Sequence, residues 1–243
     1  MGRNRSAGGA YVYAPDRKAA RPIAHLDGFV GVLQVDGYGG YRVLAERNAV
    51  TLAFCWAHVR RRFYELAAAG PAPIANEALQ RIASLYQIEA EIRGRSADER
   101  RTVRQEKSRP ILDDFEPWLR AKLALISQKT KLAEAIRYAL SRWAGLCRFI
   151  EDGRVEIDSN VVERTIRPIA LNRKNALFAG SDGGAEHWAV IASLIETCKL
   201  NGVDPYAYLA ATITKIINGH PNGRLDELLP WAYPMALALR DVA

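Results

Sequence analysis

The stretch GVLQVDGYGGYRVL, residues 31–44, places one acid, Asp36, between an apolar run and a glycine-rich turn. The run at 31–35 is aliphatic and β-branched, which predicts a buried strand that ends at the acid. The residues after the turn predict a short helix. Aspartate is also an ordinary turn former, and Asp-Gly alone indicates a turn without chemistry. A functional role for Asp36 therefore requires a second acid elsewhere in the chain.

The segments around this stretch predict alternating strands and helices. AYVYA at 10–14 and VTLAFCW at 50–56 are typical of strands. RPIAHLDGF at 21–29 and AHVRRRFYELAAAG at 57–70 are typical of helices, the second closed by glycine and proline. This order predicts an α/β fold with at least part of a parallel sheet.

From about residue 75 to 150 the apolar residues recur at helical spacing. Three amphipathic stretches are marked by apolar residues: Leu79, Ile82, Tyr86 and Ile92; Leu112, Phe115, Leu119 and Leu123; Leu132, Ile136, Leu140, Trp143 and Ile150. The charged run at 93–109 predicts a solvated helix that begins with a capping box at Ser96 and Glu99. Phosphate contact is the alternative for this run. Further helices are predicted at 187–200 and 204–217, the latter with an Asp204 N-cap.

Composition limits the class of protein. The chain has 243 residues, 49% hydrophobic and 25% charged, and a net charge of +7, which favours polyanionic partners. Its three cysteines, Cys55, Cys147 and Cys198, indicate neither a disulfide framework nor paired zinc knuckles, and a buried thiol is preferred to a Cys55–His58 zinc site. A cytoplasmic protein without a membrane span or signal segment is expected.

The candidate second acid is Glu163, in DSNVVERTIRP at 158–168. Structural roles are open for it, because Asn160 and Glu163 fit a capping box and Glu163 and Arg167 fit an i, i+4 pair. Four nearby cations favour a functional role for Glu163 instead: Arg164, Arg167, Arg173 and Lys174. Carboxylates suit Mg²⁺, which keeps positions for water and substrate phosphate, while nearby cations neutralise a bound strand. An acid pair with a basic rim indicates phosphodiester chemistry.

Five blocks, in this order, resemble the catalytic region of the insertion-sequence-sixty-six family of bacterial transposases. They are LQVDGYGGY, CWAHVRRRF, KLAEAIRYALSRW, DGRVEIDSNVVERTIRPIALNRKNALFAGSDGG and KLNGVDPYAYL, within about residues 11–233. The resemblance implies a ribonuclease-H-like mixed sheet, N-terminally truncated, with a large α-helical insertion and a helical C-terminal extension. It implies a partial core at 1–70 carrying Asp36, an insertion at 71–150, a return to the core at 151–218 carrying Glu163, and an extension at 219–243.

By the same resemblance, Asp36 is the second and Glu163 the third acid of an Asp-Asp-Glu triad that holds two Mg²⁺ or Mn²⁺ ions. Arg164, Arg167, Arg173 and Lys174 then contact DNA, either insertion-sequence ends or target. Family members carry the first acid and a DNA-reading domain upstream, and nothing before Tyr11 matches these. The expected function is therefore metal-dependent DNA cleavage and strand transfer by a truncated transposase, inactive or impaired alone.

Two other functions remain open from the residues. One is a non-catalytic DNA-binding or regulatory fragment of such a transposase, acting as a homo-oligomer or with the full-length enzyme. The other is an α/β enzyme of a different type, in which Asp36 is only a turn residue.

Overall fold

The computed structural model describes residues 7–47, 50–172 and 179–233. The chain divides into two compact units: a central unit, Arg17–Val162, and a terminal unit, Met1–Asp16 together with Glu163–Ala243. Both units are mainly helical. Across the described ranges, no helix has the length and apolar character required to cross a bilayer.

The central unit combines one small sheet with many helices. Its elements, in chain order, are α1 (Ala20–His25), β1 (Gly31–Val35), α2 (Gly40–Arg47), β2 (Val50–Phe54), α3 (Trp56–Ala68), α4 (Pro73–Glu91), α5 (Ala97–Val103), α6 (Arg109–Leu125), α7 (Lys131–Leu140), α8 (Trp143–Leu146) and α9 (Arg148–Glu151). A π-helical turn, Arg104–Ser108, joins α5 to α6. The predicted mixture of strands and helices is confirmed.

Strands β1 and β2 are parallel, and the register pairs Gly31 with Val50 and Val35 with Phe54. Parallel pairing requires a crossover connection, and α2 supplies it. In the described part of the chain the sheet contains these two strands, fewer than the mixed sheet expected from the family resemblance.

The core of the central unit is built from the predicted apolar stripes. Trp56 and Phe63 on α3 are fully buried, and Trp56 stacks on Phe115 of α6 at a centroid distance of 6.2 Å. Trp143 meets Trp56 edge to face at 5.7 Å. Burial of each large apolar side chain contributes about 1.5–3 kcal/mol. The helical block predicted at 75–150 thus supplies most of the buried core of the central unit.

The terminal unit contains most of α10 (Asn160–Asn172), α11 (Asp182–Leu200) and α12 (Pro205–Ile217), followed by short 3₁₀ turns at Asn222–Leu228 and Pro230–Ala232. The predicted caps are present, since Asp204 accepts the Ala207 amide at 2.8 Å. Tyr208 of α12 is buried and donates to the Leu228 carbonyl at 2.7 Å. The segment after α12 therefore packs back on this helix.

The prediction of a strand at 10–14 is wrong. In the terminal unit this segment runs extended beside α11, and its amides donate to helix hydroxyls: Gly9 to Thr197 Oγ1 at 3.1 Å and Tyr11 to Ser193 Oγ at 2.8 Å. Aromatic alternation predicts a strand here. It does not specify whether the hydrogen-bond partner is a strand or a row of side chains.

Candidate active site at the carboxyl edge of the sheet

Asp36 is the first residue after β1, and its side chain is exposed. Its Oδ1 accepts the Tyr38 amide at 3.0 Å, which closes a short side-chain turn around Gly37. Gly37 has φ of 95°, a conformation that favours glycine. The other carboxylate oxygen, Oδ2, makes no hydrogen bond with any described residue. The turn thus fixes the acid and leaves one oxygen available to a ligand.

Two tyrosines follow this acid, one in the turn and one at the start of α2. The rings of Tyr38 and Tyr41 meet edge to face at 5.9 Å, and the Tyr38 hydroxyl donates to the Arg17 carbonyl. Burial raises the pKa of Tyr41, and the negative charge of Asp36 raises it further. The negative charge of Asp36 therefore acts on the Tyr41 hydroxyl.

The parallel register brings the ends of both strands to one edge. Val35 pairs with Phe54, so Asp36 and Cys55 are the residues that follow the two strands. Cys55 is buried and precedes α3. The carboxyl edge of the sheet thus carries an exposed acid after β1 and a buried thiol after β2.

The segment before α10 crosses this edge and is fixed to β1 and to the two residues that follow β2. Three hydrogen bonds hold it: Gln34 Nε2 to the Glu156 carbonyl at 2.8 Å, the Trp56 amide to the Ile157 carbonyl at 3.1 Å, and the Ser159 amide to Cys55 Sγ at 3.3 Å. Main-chain groups of the segment thereby supply hydrogen-bond partners at the carboxyl end of the sheet.

Arg104, in the π-helical turn, binds the residues that precede this segment. It is fully buried and pairs with Glu89 through two hydrogen bonds of 2.7 and 2.6 Å. It also donates to three carbonyl oxygens ahead of α10: Phe149 at 2.8 Å, Val155 at 2.9 Å and Asp152 at 3.3 Å. The interpretation of 93–109 as mainly a solvated helix does not hold at Arg104, although the capping box at Ser96 and Glu99 is confirmed.

Asp158 determines where α10 begins. Its carboxylate accepts the Asn160 amide at 3.0 Å and the Asn160 side-chain amide at 2.5 Å. Glu163 lies in the first turn of α10 and is half-buried. The segment anchored to the sheet edge thus leads directly into the helix that carries the second candidate acid.

Of the predicted DNA contacts, Arg164 and Arg167 are exposed on α10. Arg173 and Lys174 lie outside the described residues. The joint role of Asp36 and Glu163 as metal ligands stays a prediction, as do the four segment boundaries at 1–70, 71–150, 151–218 and 219–243.

A groove of about 650 Å³ lies between α3 and α4 in the central unit. Arg60, Arg61 and Tyr64 line one side, and Tyr86 lines the other. Burial raises the pKa of Tyr86, and so does the nearby Asp158 carboxylate. The groove is cationic at its rim, because Arg60 and Arg61 form no ion pair with any described acid.

The chain matches two known sequence families. Residues 3–187 match the family described as "Transposase IS66 family", and residues 193–231 match "IS66 C-terminal element". No solved structure matches the chain.

Relatives in Sinorhizobium fredii (strain NBRC 101917 / NGR234) support this match. The uncharacterized protein y4qI is 47% identical over 232 residues, which cover 92% of this chain and 43% of the relative. The uncharacterized protein y4hP is 43% identical over 244 residues, 94% of this chain and 44% of the relative. The chain thus spans less than half the length of these relatives. It belongs to the IS66 family of transposases.

Proposed function

We propose that the chain provides two of the metal-binding acids, Asp36 and Glu163, for DNA cleavage and strand transfer by a transposase of the Asp-Asp-Glu type. One observation carries the proposal. The exposed acid after β1 lies at the sheet edge where the segment leading to α10 is anchored, and α10 carries Glu163 in its first turn. In a ribonuclease-H-like core, catalytic acids would occupy this kind of edge.

The donor set suits a hard divalent cation. Both side chains are carboxylates, and Asp36 keeps Oδ2 free of hydrogen bonds within the described chain. Mg²⁺ and Mn²⁺ bind such oxygens while retaining water and substrate phosphate. A bound pair of ions would activate the attacking oxygen and stabilise the leaving oxygen of an in-line displacement. The chain's part is to hold Asp36 in its turn and to fix the start of α10.

DNA is the proposed partner. Arg164 and Arg167 are exposed on the helix of Glu163, and Arg173 and Lys174 follow it in sequence. Cations at these positions would neutralise backbone phosphates without reading sequence. The net charge of +7 adds long-range attraction for the polyanion. Self-association, or association with a full-length transposase, stays a prediction that light scattering would check.

Two measurements test the proposal. The first is residual nicking of a supercoiled plasmid that bears the insertion-sequence ends, with Mg²⁺ or Mn²⁺, since the chain is expected to be impaired alone. The second is Mn²⁺ binding by calorimetry. We expect Asp36→Asn and Glu163→Gln to abolish both signals, while Glu65→Gln, at an exposed acid of α3, changes neither.

Each other outcome has a defined meaning. DNA retention that weakens steeply with salt but is never followed by cleavage, and is unaffected by Asp36→Asn and Glu163→Gln, supports a non-catalytic DNA-binding module instead. Failure to bind DNA at moderate salt contradicts both functions.

A further inference from the structure

Two arginines stack on one tyrosine in the central unit, beside the turn that follows Asp36. The guanidinium carbon of Arg62, on α3, lies 4.0 Å from the ring centroid of Tyr138, on α7. That of Arg142, just after α7, also lies 4.0 Å from it. Arg142 further lies 5.8 Å from the ring centroid of Phe54, the last residue of β2. Stacking of this kind holds a guanidinium plane in one orientation without neutralising its charge.

One edge of the Arg142 guanidinium has no acceptor. Nη1 donates to Ser141 Oγ at 3.1 Å and to the Tyr138 carbonyl at 3.4 Å. Nε is buried and makes no hydrogen bond with any described residue. Nη2 makes no hydrogen bond with a described residue either, but unlike Nε it is accessible to solvent. No acid in the described ranges forms an ion pair with Arg142.

This open edge faces the turn after Asp36. A Cβ placed on Gly37 would lie 3.2 Å from Nε and 3.7 Å from Nη2 of Arg142. It would also lie 3.3 Å from the Tyr138 hydroxyl. The glycine therefore allows the guanidinium edge to approach the backbone of the turn. Asp36 is the next residue in the chain.

The Nε and Nη2 edge is the part of arginine that binds a phosphate through two parallel hydrogen bonds. A buried donor without a partner is destabilising, and an anion that reaches it relieves that cost. The arginine is positively charged at all working pH values, and its orientation is fixed in advance. An anion at this point would lie beside the candidate metal ligand.

We propose that Arg142 binds a backbone phosphate of the DNA strand that is presented to Asp36. Nη2 makes the first contact; Arg62 forms an ion pair with Glu134 at 3.3 Å, so the uncompensated positive charge at this point is that of Arg142. The helical insertion thereby contributes a DNA-contacting residue next to the sheet edge, in addition to the cations that follow Glu163. This inference rests on the proposed function, because it states where the reacting strand is held.

The competing explanation is a purely structural stack, in which Arg142 only packs on Tyr138 and Phe54. The two explanations differ in measurable ways. A structural role changes the stability of the chain when the side chain is shortened and leaves the salt dependence of DNA affinity unchanged. A phosphate contact changes the salt dependence, because each contact releases counterions from the DNA.

The test measures binding of a fluorescent DNA duplex by anisotropy between 50 and 300 mM salt without divalent metal. Asp36→Asn serves as the non-cleaving parent, and Arg142→Gln, Arg142→Lys and Arg120→Gln are added to it. We expect Arg142→Gln to weaken binding about eightfold near 0.1 M salt and to lower the log–log salt slope by about 0.9. Lysine should restore the slope but only part of the affinity, since it lacks the fork. Arg120, an exposed cation paired with Glu116, should have little effect.

Thermal unfolding of each variant keeps the test independent of misfolding. If Arg142→Gln does not fold, Arg142→Lys and Tyr138→Phe, which keep a cation or the stack, supply the comparison. An unchanged salt slope in folded Arg142→Gln overturns the inference, as does an unchanged affinity in folded Arg142→Lys, or a parent chain that does not bind DNA. Cleavage with an unchanged Arg142→Gln slope defeats only this inference. A changed slope without metal-dependent cleavage in the wild-type chain defeats only the proposed catalysis.

Discussion

Arg104 and Glu89 form a buried two-point ion pair, with Nε–Oε1 at 2.7 Å and Nη2–Oε2 at 2.6 Å. The side chain of Arg104 is inaccessible to solvent, and that of Glu89 is 9% exposed. The remaining guanidinium nitrogen, Nη1, donates to the carbonyl oxygens ahead of α10. Because Phe149 and Val155 lie just ahead of the segment at 156–159 that crosses the sheet edge, the pair connects the helical block to the chain that leads into the candidate active site.

Removal of one partner of this pair should strongly destabilise the chain. Arg104→Met leaves Glu89 with only the longer contact to Arg100, at 3.5 Å, and removes the donor to the Phe149 and Val155 carbonyls. We therefore expect a loss of about 3 kcal/mol in the free energy of unfolding. Arg120→Met removes an exposed i, i+4 pair and should cost about 0.5 kcal/mol or less. Urea denaturation measures both. A loss below about 1 kcal/mol for Arg104→Met would contradict a central role for this pair.

The helices of this protein were largely predictable, because the apolar stripes are long and their caps are explicit. Phe115 and Ile136 lie in predicted stripes and are fully buried. Arg104 was missed because a run of charges normally indicates solvent. A signal was nevertheless present: stepping back from Leu112 by four residues twice reaches Ser108 and Arg104, and both are buried. When an apolar stripe continues at helical spacing into a charged run, the charged residue in register with the stripe is therefore the one to expect in the core.

Gly37→Ala should destabilise the turn that holds Asp36. The backbone at Gly37 has φ of 95°, and the new Cβ would lie 3.2 Å from Arg142 Nε. Strain of this kind costs about 1–3 kcal/mol. Gly39→Ala, two residues later, meets no atom within 4 Å and is the matched control. The measurement is the midpoint of thermal unfolding, and equal midpoints for the two variants would show that the turn is not strained by a side chain.

The candidate site was predictable only in part. The position of Asp36 after a buried strand follows from local sequence, because hydrophobic periodicity marks the strand and the glycines mark the turn. The three hydrogen bonds that fix the segment at 156–159 do not, since their donors and acceptors are far apart in the chain and two involve main-chain carbonyls. Arg142 gave no local signal either. The role proposed for Arg142 depends on its closeness to Gly37, which only the tertiary structure shows.

The cysteine thiols should react slowly in the folded chain. Burial raises the pKa of Cys147 to about 12, and burial also raises the pKa of Cys198. Cys55 is 2% exposed. Since the thiolate is the nucleophile, we expect labelling by a disulfide reagent at pH 8 to be at least about 100-fold slower than in guanidinium chloride, where all three cysteines should titrate. Cys147 is half-buried, and its rapid labelling under native conditions would contradict the raised pKa of its thiol.

Asp152 should make stability depend on pH below neutrality. Hydrogen bonds from the Arg154 side chain lower its pKa from 3.8 to about 2. The unfolded chain therefore binds this proton at higher pH than the folded chain, and the stabilisation is complete above about pH 5 and is lost as pH falls through 4 towards 2. Since Arg154 is exposed, we expect only about 1 kcal/mol. The difference in unfolding free energy between wild type and Asp152→Asn, from urea titrations, should be constant from pH 5 to 7 and shrink by pH 3. A difference that grows as pH falls would refute the assigned interaction.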